Sequence, residues 1–174
     1  MRLRHLPFVV LAFAACNSSA PPKTLTPELQ ATGVANLAMP QPGVLTAGQP
    51  TEEQFAQLAA LGVKKVVCLR APTEKGTGWE EAKAAALGVQ FVRLPLTGED
   101  GLTQSAAERL AAELGSADGT AMVCCGSSNR VGALLALKAF WVDKKPAAEA
   151  LELGKQAGLK AMLGEDGYAR FLQH

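Results

Sequence analysis

The sequence predicts an α/β sandwich, a mostly parallel sheet of four or five strands with helices on both faces. Three observations carry that expectation. From about Leu29 onward, short β-like runs alternate with helix-length amphipathic stretches. Two of the runs, Val63 to Leu69 and Ala121 to Cys124, are almost continuously apolar, as strands covered on both faces must be. Glycine or proline marks most changes of element, and no internal repeat is present.

Val44 to Gly48 reads as the first strand, closed by Gln49-Pro50. Thr51-Glu52-Glu53 then starts a helix with a capping hydroxyl and early acids, and Phe55, Leu58 and Leu61 share one face up to Gly62. Val63 to Leu69 is apolar apart from Lys64-Lys65, and Ala71 to Gly78 must be a loop. Trp79 to Leu87 forms a second helix, Val89 to Leu94 alternates as a strand, and Pro95 to Gly101 is a loop. Thr103 to Leu114 gives a third helix stopped by Gly115, followed by the short strand Ala121 to Cys124. Val131 to Val142 is a strongly apolar helix, Pro146 opens another that runs to about Gly158, and the tail to His174 adds a short helix. Trp79, Trp141 and the Ala-Leu-rich stretch from Val131 to Phe140 sit at helical spacing and read as core.

With 174 residues, 48% of them hydrophobic and 19% charged, the chain has room for one packed domain and short extensions. Seventeen basic side chains against sixteen acidic ones leave +1, which argues against a nucleic-acid groove. Only His5 and His174 are histidines, both at the extreme ends. A Ser-His-Asp triad, a Cys-His dyad or a histidine metal site therefore has no internal histidine to use. Chemistry must run on cysteine, carboxylate, arginine and main-chain amides.

The N-terminus reads as an address. Arg2 and Arg4 precede an apolar run from Leu6 to Cys16, too short for the roughly 18 residues of a membrane span. Ala14-Ala15-Cys16 resembles a bacterial lipobox, with Phe13 where leucine is usual. The expected organisation is a signal peptide over 1–15, a lipidation site at Cys16 with a tether over 16–28, and a domain over 29–174. Ordinary cleavage near Ala12-Phe13-Ala14 is the alternative. The expected location is the cell envelope, a lipid-anchored domain facing the periplasm, with Cys68, Cys124 and Cys125 in an oxidising space.

The stretch that carries chemistry runs from Val123 to Gly132, between a buried strand and a long helix. Loops at the carboxyl edge of such sheets are where α/β folds place ligands. Amides from Gly126, Ser127, Ser128 and Asn129 can curl into an anion-binding nest, and the helix N-terminus adds positive potential. Arg130 supplies a planar fork for two oxyanion oxygens. The same field would ionise a cysteine at the mouth of the loop, so one device binds the substrate and activates the nucleophile.

At these residues the chain resembles the phosphatase-like domain of beta-lactamase-hydrolase-like proteins, bacterial relatives of the dual-specificity and tyrosine phosphatases. The resemblance spans roughly Val44 to Leu159. It rests on Gly48-Gln49-Pro50, Val66-Val67-Cys68-Leu69-Arg70, Leu94-Pro95-Leu96, the Cys-to-Arg loop and Ala147 to Gly158. It implies a cysteine-phosphatase-like fold, a cysteine nucleophile, and no metal or other cofactor. Asn129-Arg130-Val131-Gly132 aligns best with Cys125 as nucleophile, four residues intervening before Arg130; Cys124, with five intervening, is the alternative. Related enzymes carry a proton donor on the loop after Leu94-Pro95-Leu96, which points to Asp100, with Glu99 as its neighbour and rival. Arg70 and Glu74 flank the same sheet edge, as pocket lining or as an ion pair.

The expected function is hydrolysis of a phosphomonoester by Cys125, Arg130 and Asp100, with Gly126, Ser127, Ser128, Asn129 and Arg130 binding the phosphate. A phosphate-bearing or sulfur-oxyanion substrate is the expected partner, with no nucleic acid. The four-residue spacing and the absence of a hydroxyl at Val131 favour the rival, a sulfurtransferase carrying a persulfide on Cys125. A non-catalytic anion-binding module is the third reading.

Overall fold

The structure is a computed structural model and describes residues 24–161. The signal peptide, Cys16, most of the tether and the expected tail helix lie outside the described residues. The described chain runs α1 (Pro27–Ala31), β1 (Ala38–Gln41), β2 (Val44–Ala47), α2 (Glu52–Ala60), β3 (Val63–Cys68) and α3 (Glu80–Ala86). It continues through β4 (Gln90–Arg93), α4 (Gln104–Gly115), β5 (Thr120–Cys124), α5 (Asn129–Trp141) and α6 (Ala147–Gln156). One five-stranded sheet is ordered β1-β2-β5-β3-β4, with all pairs parallel except the β1–β2 hairpin. The expected α/β architecture and mostly parallel sheet are therefore present.

Side-chain alternation divides the core in two. On one face Val67, Leu69, Val123 and Cys125 pack with Ala107 and Leu110 of α4 and with Val131, Leu134 and Leu135 of α5. On the other, Leu45, Val66, Cys68, Met122 and Cys124 pack with Phe55 and Leu58 of α2 and Ala84 of α3. Successive residues of a strand point to opposite faces, so Cys124 and Cys125 are sent to different cores. Trp79 meets Phe55 edge-on, ring centroids 5.7 Å apart.

Of the two lysines that interrupt the apolar run of β3, Lys64 is exposed but Lys65 is only 1% exposed. Lys65 Nζ donates to the Glu113 carbonyl at 2.7 Å and to Ser116 Oγ at 2.8 Å, and pairs with the Glu113 carboxylate at 2.6 Å. These acceptors end α4, where a cation also suits the helix dipole. Thr51 and Gln54 form the full capping box of α2.

Two elements go beyond the sequence reading. Pro40 within β1 removes a ladder donor, which sequence rules take as evidence against a strand; β1 is an edge strand, where that loss is tolerated. Helix α1 starts at Pro27, inside the stretch read as tether, with the Thr26 side chain accepting from the Leu29 amide.

Candidate active site

The loop between β5 and α5 is shaped by commitments at both ends. At its start, the Cys125 amide donates to the Ala47 carbonyl at 3.3 Å, continuing the β2–β5 ladder by one residue. At its end, Ser128 caps α5 in the left-handed region, φ +67°. A left-handed residue followed by a helical one is a conformation that turns successive N–H groups into a nest. The N–H groups of Gly126, Ser127, Asn129 and Arg130 donate to no carbonyl or side chain among the described residues. They stand at the N-terminus of a 13-residue helix, whose dipole favours an anion there.

Side chains of the loop divide their work. Ser128 is fully buried and its hydroxyl donates to the Ala157 carbonyl at 2.8 Å, tying the loop to the end of α6. Asn129 Oδ1 accepts from the Lys160 amide at 2.8 Å and the Ala161 amide at 3.3 Å. What Ser128 and Asn129 have left for an anion is therefore main chain rather than hydroxyl or carboxamide oxygen. Gly132 lets the two helices meet: a Cβ there would stand 2.3 Å from the Leu159 nitrogen and 2.5 Å from the Gly154 oxygen.

Arg130 is fixed by a bidentate ion pair. Its Nη1 donates to Glu74 Oε1 at 2.8 Å and its Nη2 to Glu74 Oε2 at 2.7 Å. Nη1 also donates to the carbonyls of Leu96 at 3.1 Å and Leu69 at 3.3 Å. Glu74 accepts further from the Ala71 amide at 2.8 Å and Arg70 Nε at 3.2 Å, so the sheet-edge pair Arg70 and Glu74 is an ion pair that also reaches the site. Arg130 lowers the Glu74 carboxyl to about 2, against an ordinary value near 4.5. A guanidinium has five N–H bonds in one plane. With Nη1 saturated and Nη2 using one proton, the Nε–H and the second Nη2–H remain together on one edge, the geometry of a side-on fork for two oxyanion oxygens. Nη2 lies 3.8 Å from where a Gly126 Cβ would stand, so the guanidinium is folded back over the start of the loop.

The two cysteines are now distinguishable. Cys125 is 1% exposed, at the floor of the loop, and its sulfur, after Glu74, helps to raise the Arg130 pKa by charge and hydrogen bonding. Cys124 faces the opposite core, register-paired with Cys68 on β3. Its thiol is held well above the ordinary thiol range, first by hydrogen bonding to Cys68 and then by complete burial. Beyond Cys68 stands Glu80, itself 2% exposed, which accepts from Gln49 Nε2 and from Arg93 Nη2, both at 2.7 Å. Cys124 thus sits against Cys68 in the core that also holds the buried Glu80, on the face of the sheet opposite Cys125. Among the described residues the three cysteines are free thiols.

A cavity of about 490 Å³ opens beside the loop, lined by Ala71, Thr73, Glu74, Leu96, Thr97, Gly98, Ser127, Asn129 and Arg130. It joins the ends of β3, β4 and β5, the sheet edge where the sequence placed the site. Cys125 lies behind this lining rather than in it. Asp100 and Glu99 are exposed on the loop that contributes Thr97 and Gly98, but neither lines the cavity. Val131, where tyrosine phosphatases carry a hydroxyl, is fully buried in the core. No cluster of three metal-ligating side chains occurs among the described residues.

No family model matches the chain, and no curated protein matches it by sequence. Solved structures match it by fold. A DUF442 protein of Shewanella putrefaciens CN-32 is 21% identical, with a TM-score of 0.65 over 84% of this chain and 93% of that one. TpbA of P. aeruginosa is 21% identical, with a TM-score of 0.62 over 90% and 91% of the two chains. A kinase associated phosphatase whose catalytic site cysteine is replaced by serine is 12% identical, with a TM-score of 0.60 over 88% and 93%. The chain therefore has the α/β fold of cysteine phosphatases, with a five-stranded, mostly parallel sheet. The narrower likeness to beta-lactamase-hydrolase-like proteins rests on the sequence motifs.

Proposed function

We propose that the protein is a cysteine-dependent phosphatase acting on phosphomonoesters. The observation that carries this reading is the state of Arg130: one edge of the guanidinium is locked to Glu74, and the other, beside the Cys125 sulfur at the start of the amide loop, takes no oxygen acceptor among the described residues. TpbA, similar to this chain in fold, has been solved in complex with pTyr, which supports a phosphate-bearing substrate.

In this mechanism the loop amides and the side-on fork hold three phosphoryl oxygens while the Cys125 thiolate attacks phosphorus in line with the leaving oxygen. Because Cys125 lies under the start of the loop, the Gly126 end must give way to the incoming group while Ser127 stays bonded to Asn36, and the anion's contacts with the amides and Arg130 drive that local change. Cys125 then carries the phosphoryl group until water displaces it. Asp100 is the proposed proton donor to the leaving oxygen; its loop has to carry it over the cavity, since Thr97 and Gly98 stand there in this structure. Cys16 lipidation and a periplasmic location complete the proposal, on the sequence pattern alone.

The rival with a specific observation in its favour is sulfur transfer. Val131 is buried and the Ser128 hydroxyl is committed to Ala157, so neither eases departure of the thiolate from a phosphoenzyme. Two assays on one reduced sample separate the readings: hydrolysis of an aryl phosphate, and transfer of sulfur from thiosulfate to cyanide. Phosphatase activity abolished by Cys125→Ser and largely retained by Cys124→Ser is the expected result. Sulfur transfer without phosphate release, or activity that disappears with Cys124 and survives loss of Cys125, would overturn the proposal.

A further inference from the structure

The loop that would cradle the anion is held from outside by residues that do not line the cavity. Its Ser127 carbonyl accepts from Asn36 Nδ2 at 3.1 Å, and its Gly126 carbonyl accepts from the Gln49 amide at 3.3 Å. In a trans peptide the carbonyl and the next N–H point in opposite directions. Fixing the Gly126 carbonyl against the 35–49 wall therefore turns the Ser127 N–H away from it, while the bridge between Gly48 and Ser127 and the Asn36 bond fasten Ser127 to the same wall.

The wall is built for close approach. Asn36 adopts φ +53°, a left-handed conformation that asparagine tolerates better than most residues. The Gly48 amide donates to the Ala35 carbonyl at 2.7 Å. A Cβ on Gly48 would lie 3.0 Å from the Ala35 oxygen and 3.2 Å from the Gly126 oxygen, so a glycine is what lets the Asn36 turn reach the loop. On its far side Asn36 Oδ1 accepts from Lys160 Nζ at 3.5 Å, which holds the carboxamide with its NH2 toward Ser127.

We propose that Asn36 is a positioning residue for phosphate binding: it never touches the substrate, and it holds the amide loop in place beside Arg130 through the Ser127 carbonyl. The inference rests on the phosphatase reading above. It assigns a task to a residue that neither the sequence motifs nor the cavity lining singles out.

The test is Asn36→Gly in the full chain, which keeps the left-handed backbone and deletes only the side chain. Inorganic phosphate binding, measured by calorimetry, is expected to weaken about 5-fold or more, the size of one net hydrogen bond. KM for an aryl phosphate should rise in proportion while kcat stays within about 2-fold, because the amides bind ground and transition states alike. Asn36→Asp, which keeps an acceptor for Lys160 but cannot donate to Ser127, should behave no better than the glycine variant. Phosphate affinity within about 2-fold of the parent in Asn36→Gly, or parental affinity in Asn36→Asp, overturns the inference alone. A fall in kcat and thermal midpoint with KM unchanged also overturns it, since that marks a merely structural residue. If the parent chain binds no phosphate, the phosphatase reading fails first and the inference with it.

Discussion

Glu74→Gln is the substitution on which the reading of the site is most exposed. Glu74 receives both Nη atoms of Arg130, the Nε of Arg70 and the amide of Ala71, so it sets where the guanidinium points. Its carboxyl lies at about 2 instead of 4.5, chiefly through Arg130. At ~1.4 kcal/mol per pKa unit that shift corresponds to about 3 kcal/mol favouring the ionised form. The Glu74 side chain is 32% exposed, so solvent screening reduces the usable part to about 1–2 kcal/mol. Because the folded-state pKa is depressed, this stabilisation is complete above about 4.5 and is lost as the pH falls toward about 2. The parent should therefore lose about 1–2 kcal/mol of unfolding free energy across that window that Glu74→Gln does not lose. Urea unfolding at pH 7 and at the lowest pH where both proteins still fold measures the difference. In the same variant kcat/KM for an aryl phosphate should fall roughly 10- to 100-fold at pH 7, because the fork edge is no longer aimed at the loop. A Glu74→Gln protein with parental kcat/KM would refute the orientation argument. One that shares the parent's acid loss would refute the electrostatic one.

Two further substitutions test neighbouring parts of the design. Arg130→Lys keeps the charge and removes the planar fork; kcat/KM should drop on the order of 100-fold in steady-state assays, with Lys unable to hold Glu74 and two phosphoryl oxygens together. Gly132→Ala places a methyl 2.3 Å from the Leu159 nitrogen and 2.5 Å from the Gly154 oxygen, both main-chain atoms. α6 must then move off α5, and chemical denaturation should show a loss of about 1–3 kcal/mol.

Much of this protein is legible in one dimension. Period and punctuation locate β2 to β5 and α2 to α6 to within a residue or two, because alternating apolar runs and capping residues such as Thr51 and Thr103 act over a few neighbours. The Cys-to-Arg loop is legible for the same reason: strand, loop, helix and arginine are contiguous. β1 and α1 are weaker signals, one carrying Pro40 and the other only five residues long.

The partners of that loop were not legible. Choosing between Cys124 and Cys125 needs to know which core each strand face meets, and that depends on which helices cover each face: α2 and α3, roughly 40 to 70 residues earlier in the chain, on one side, and α4 and α5 on the other. Glu74 was visible as a pocket or ion-pair candidate, but its grip on Arg130 spans 56 residues, and the Asn36 contact to Ser127 spans 91. Ser128 and Asn129 look like phosphate ligands in sequence; the structure engages their side chains with Ala157, Lys160 and Ala161. Local sequence fixes where the chain bends and which way a helix dipole points. Hydrogen-bond partners are decided by what the fold brings within about 3 Å, and no pattern of neighbouring residues encodes that distance.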